Sequence, residues 1–97
     1  MAAVLSLAAC ASAPLAFRAE QVDTEALNAY AAIGQSLNAY EAAPGVTAAQ
    51  IASAEQIRLK AWGLLVAERK VYASGAVADI SDLLALVSVA ANLGKAH

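Results

Sequence analysis

Alanine occupies 28 of the 97 positions. It has the highest helix propensity of any residue and loses no side-chain entropy on folding, so a chain this rich in it is driven towards helix. Its methyl group buries little area. Alanine-rich helices must therefore approach one another closely, and the few large residues must supply most of the core. Ninety-seven residues allow one domain at most. A chain of that size hides only about 60% of its unfolded surface. The expected fold is all-α, a small three-helix bundle or a helical hairpin plus a third helix. An apolar N-terminal segment over residues 1–18 precedes a single helical domain over 19–97.

Capping signals place three helices at about 24–42, 47–73 and 79–93. Asp23 or Thr24 can cap the first, and Pro44-Gly45 ends it. Ala26, Tyr30, Ile33, Leu37 and Tyr40 recur at helical spacing and form its apolar stripe. The second opens with Thr47-Ala48-Ala49-Gln50, a capping box, and Gly75 can stop it. Its apolar face is wide: Ala54, Ile57, Ala61, Leu64, Leu65 and Tyr72, broadened by Ile51 and Trp62. So wide a face suits a central helix with two neighbours. Asp79 can cap the third, which Gly94 would terminate. Its core stripe reads Ile80, Leu84, Val87 and Ala91, supported by Leu83.

The chain is 61% hydrophobic and only 14% charged. So small a body cannot hide that much apolar surface, so some should face a partner, a membrane or a second copy. Leu86, Val89 and Leu93 lie on the far flank of the third helix and are candidates for a homo-oligomer or protein contact. The net charge is −2 with six scattered basic residues. Without a basic stripe interleaved with aromatics, nucleic acid is not an expected partner.

Met1 to Phe17 carries no charge, and within it Leu7-Ala8-Ala9-Cys10 follows the apolar run Ala2-Ala3-Val4-Leu5-Ser6. These residues resemble a bacterial lipoprotein signal, in which a Leu and two small residues precede the cysteine that takes the lipid. Ala11-Ser12-Ala13-Pro14 looks like the short tether that follows such an anchor. The style of the remaining chain is similar to that of small alanine-rich helical lipoproteins of bacterial and prophage genomes. The resemblance implies lipidation of Cys10, membrane anchoring and an address in the cell envelope. The residues also admit a second reading. No Lys or Arg precedes Cys10. In that case the segment is an apolar first turn packed on the body, Cys10 is a small buried hydrophobe, and the protein is cytoplasmic.

Chemistry is hard to assemble from what remains. The single histidine, His97, is the last residue, and there is one cysteine. Neither a usual zinc site nor a histidine-based nucleophile arrangement can be built from these. The five glycines, at 34, 45, 63, 75 and 94, form no phosphate loop. The acid clusters at Glu20, Asp23 and Glu25 and at Asp79 and Asp82 sit where they cap or solvate helix starts. No catalytic, cofactor or metal residues and no small-molecule substrate are expected.

Trp62 is the only tryptophan, with Arg58 four residues before it and Arg69 seven after on the same side of a helix. A guanidinium over the indole could make this trio an anchor for a partner. The plainer reading is a core-edge Trp covered by arginine stems. The expected function is therefore a non-enzymatic envelope lipoprotein with a structural or accessory role. The alternatives are a soluble self-associating helical interaction module and a membrane-active lysis-type peptide.

Overall fold

The computed structural model describes residues 14–96; Cys10, the Leu7–Cys10 box and His97 lie outside them. Three helices follow in chain order, α1 (Leu15–Ala42), α2 (Ala48–Ala73) and α3 (Ser81–Ala96), with no strand among the described residues. This is the all-α, three-helix fold that the alanine content dictates.

α1 begins about two turns before the expected caps. Pro14 fixes a φ of −53° and its carbonyl accepts from the Arg18 N–H at 3.1 Å, which starts the helix with no side-chain cap. Nothing between Leu15 and Val22 breaks a helix, so Asp23 is not needed at the start and sits buried inside α1. Residues 15–18 thus belong to the helix rather than to a separate segment.

α2 matches its expected bounds because both ends are chemically specified. The Thr47 hydroxyl accepts from the Gln50 N–H at 3.1 Å, and the Gln50 side chain accepts from the Thr47 N–H at 2.8 Å. At the other end Gly75 adopts φ +86°, and the Gly75 and Ala76 N–H groups donate back to Tyr72 and Val71. That double return is a Schellman closure, and its left-handed residue favours glycine.

α3 differs from expectation in length and in register. Asp79 accepts from the Ser81 N–H at 3.0 Å, so it does serve the helix start, but the helix runs through Gly94 to Ala96. A lone glycine in the last turn costs about 1 kcal/mol and does not force a stop. The buried stripe is Ile80, Leu83, Leu86 and Ala90, rotated from the expected one; Leu84 is 46% exposed. From Leu83 to Ala91 only Ser88 is polar, so periodicity could not select the face.

α1, not α2, is the central helix: it packs about equally on the other two, which touch each other less. The large fully buried side chains are Ile33, Leu37 and Leu83, each worth about 1.5–3 kcal/mol of burial. Ala26, Ala54, Ala61 and Ala90 are completely buried among them. Alanine therefore sits where the helices press together, as its small volume requires.

Candidate functional site

Two places stand out along α2, and Arg69 takes part in both. The first is polar and buried. Asp23 of α1 accepts two hydrogen bonds from Arg69 of α2, at 2.8 and 2.6 Å. Asp23 is 6% exposed, whereas the Arg69 side chain is half exposed and stacks its guanidinium 5.7 Å from the Tyr72 ring. Glu68, adjacent in sequence to Arg69, is 4% exposed, and neither of its oxygens meets a hydrogen-bond partner. Burial disfavours the charged carboxylate, and the Asp23 carboxyl beside it adds to the effect; the Arg69 charge opposes it only in part. Together these push the Glu68 pKa up to about 7. At neutral pH α2 therefore holds a partly protonated acid against the acid–arginine pair.

The second place is apolar and open. Trp62 is 52% exposed, with its ring 5.7 Å from that of Tyr30 at a tilt of 55°. Leu27, Leu65 and Val66 continue the surface, and Arg69 and Lys70 close one end. Together they line an open groove of about 460 Å³. Leu59, 63% exposed, extends the apolar surface along α2.

The expected guanidinium over the indole does not form; Tyr30 takes that place. Arg58 instead bridges the helices, at 2.9 Å from Glu55 and 3.2 Å from Glu41, and donates to Asn38 at 2.8 Å. Two carboxylates sharing one guanidinium hold unlike affinities for protons. Glu41 is raised, chiefly by the neighbouring Glu55, and Glu55 is lowered by Glu41 and Arg58. Trp62 lies at the edge of the core, half exposed, against Tyr30, which itself packs on the buried cluster.

The third-helix flank is only partly a surface. Leu86 is 7% exposed and belongs to the core, and Leu93 packs partly against it. Val89 is 44% exposed and stays available, joined by Leu84. Leu86 is buried because α3 turns the Leu83–Leu86–Ala90 side inwards.

Sequence reasoning missed Asp23 and Glu68 as a pair. A signal for Glu68 was present: it follows Ala61 by seven residues and Leu65 by three, which puts it on the buried stripe. For Asp23 the cap reading competed and no pattern separated the two.

Among the described residues no three His, Cys, Asp or Glu side chains converge in a metal-holding group, and no helix is long and apolar enough to cross a membrane. Compared with known proteins, the chain matches no family model, no curated protein and no solved structure.

Proposed function

We propose that the chain is a non-enzymatic envelope lipoprotein, a helical docking body carried on a lipid anchor at Cys10. One observation carries the reading. The core begins only at Ala19: Leu15 and Phe17, though large and apolar, are 53% and 52% exposed, and the buried cluster draws on α1, α2 and α3 from residue 19 onward. Among the described residues, then, no side chain before Ala19 contributes to the buried core, although Leu15 to Arg18 continue α1. That is what a tether after a processed signal requires. The four residues from Ala11 to Pro14 would place the first helical turn close to the lipid surface.

The role is accessory docking rather than chemistry, because the most developed open surface is the apolar Trp62 groove, and apolar patches of that kind mark contact sites. The intact mass of the protein from its host's membrane fraction tests the anchor. A chain beginning at a diacylglycerol-modified Cys10 is expected. An unmodified chain beginning at Met1 in the soluble fraction would overturn it.

A second reading, self-association, draws on the exposed Val77, Leu84 and Val89. Light scattering separates the two, since a strict monomer at high concentration eliminates self-association.

A further inference from the structure

We infer that the outward face of α2 between Leu59 and Lys70 lies against an anionic phospholipid surface, a reading that rests on the envelope address proposed above. Leu59, Trp62 and Val66 recur at the three- and four-residue steps that place them on one strip, and Leu59 and Trp62 are more than half exposed. Cations bound the strip on both edges. Arg58 and Arg69 stand one turn before and two turns after Trp62, and Lys70 follows Val66 by one turn, with Lys60 further round.

α2 holds four of the chain's six basic residues against two acids, Glu55 and Glu68. Glu55 and Glu41 are tied to Arg58 and Asp23 to Arg69, so the free positive charge of this helix is that of Lys60 and Lys70, and Glu68 is buried on the opposite side. No ion pair engages Lys60 or Lys70 among the described residues. The unpaired acids lie elsewhere: Glu20 and Glu25 on α1, and Asp79 and Asp82 at the start of α3. An acidic protein thus shows one face that is apolar, aromatic and cationic. That combination suits the bilayer interface, where indole and phenol rings sit at headgroup level and lysine stems reach up to anionic groups.

Trp62, as the only tryptophan, reports on this face directly. The full chain carrying Cys10→Ser, which cannot be lipidated, is mixed with vesicles of phosphatidylcholine alone or with 30% phosphatidylglycerol. The expected result is a blue shift of Trp62 emission and its quenching by bromine-labelled acyl chains, with the phosphatidylglycerol vesicles only and weakening with salt. Lys60→Gln and Lys70→Gln should each reduce partitioning about fivefold, and about 25-fold together. Both sites are exposed, and unchanged circular dichroism confirms that the body is intact.

No shift with either vesicle, equal binding to both, or binding unaffected by the paired lysine change would each overturn the proposal. So would a blue shift that grows with protein concentration in the absence of vesicles, which would assign the face to a second copy. Because this variant carries no lipid, failure here leaves the mass of native Cys10 unaffected, and an unmodified Cys10 leaves the vesicle result standing.

Discussion

Replacing Glu68 with Gln removes the proton-binding site from the α1–α2 junction and leaves a side chain of nearly the same shape. The magnitude follows from linkage. Glu68 has an ordinary pKa of 4.5 and a folded value of about 7. The folded state therefore holds the proton to higher pH than the unfolded state does. Stability from this group is complete below about pH 4.5, falls as pH rises towards 7, and is flat above it. A difference of about 2.5 units at about 1.4 kcal/mol each comes to about 3 kcal/mol. For a domain of this size that corresponds to a melting temperature roughly 10–20 °C lower at pH 8 than at pH 4.5.

In Glu68→Gln the term disappears. The variant should melt well above the parent at pH 8 and close to it at pH 4.5. Glu41 is also raised by its neighbour Glu55, so the informative quantity is the difference between parent and variant across a pH series of thermal melts followed by circular dichroism. A difference that does not change between pH 4.5 and pH 8, or a variant less stable than the parent at pH 8, would refute the placement of Glu68 as an unpartnered buried acid.

Three further outcomes test the rest of the structure. Arg69→Ala strips Asp23 of its cationic partner and leaves two acids facing each other, so it should destabilise the body by about 2 kcal/mol at pH 7, measured by urea denaturation. Leu86→Ala should cost about 2–4 kcal/mol and Leu84→Ala less than about 1, the reverse of what the Leu84–Val87–Ala91 stripe would give, because Leu86 is buried and Leu84 is not. Thr47→Ala removes the hydroxyl of the capping box and should cost about 1 kcal/mol, read from the same denaturation curves.

What could be read from the sequence was what local chemistry specifies. The Thr47–Gln50 box and Gly75 fix α2 at both ends through bonds made within a few residues, and there expectation and structure agree. The α1 stripe at Ala26, Ile33, Leu37 and Tyr40 could be found because polar residues such as Asn28, Gln35 and Asn38 alternate with it and stay exposed. The misses share one cause. Where the middle of a helix is almost wholly apolar, as from Leu83 to Ala91 of α3, the periodicity has little contrast and tertiary packing chooses the face; Leu86, expected on the outer flank, lies inside. Where an acid can satisfy two roles, local capping competes with a long-range pair. Asp23 fits an N-cap in sequence, yet its partner Arg69 lies 46 residues away. The ring partner of Trp62 is Tyr30 on another helix, which no spacing within α2 could indicate.

The two sites are carried by one helix, and this affects how each can be tested. A body of this size has a total stability of roughly 5–12 kcal/mol, so ionising Glu68 removes a substantial fraction of it. The strip from Leu59 to Lys70 exists as a face only while α2 is helical and packed on α1. Binding to anionic vesicles should therefore weaken in the parent as pH rises from about 4.5 towards 7, the range over which Glu68 ionises. That loss would come from the opposite side of the helix. The Glu68→Gln chain separates the causes. If it binds equally at pH 6 and pH 8 while the parent does not, the dependence on pH is a property of the buried acid pair, and the surface is set by the tryptophan and lysines alone. If both chains lose binding together at pH 8, the titrating group sits at the membrane face, and α2 does not present the strip as described.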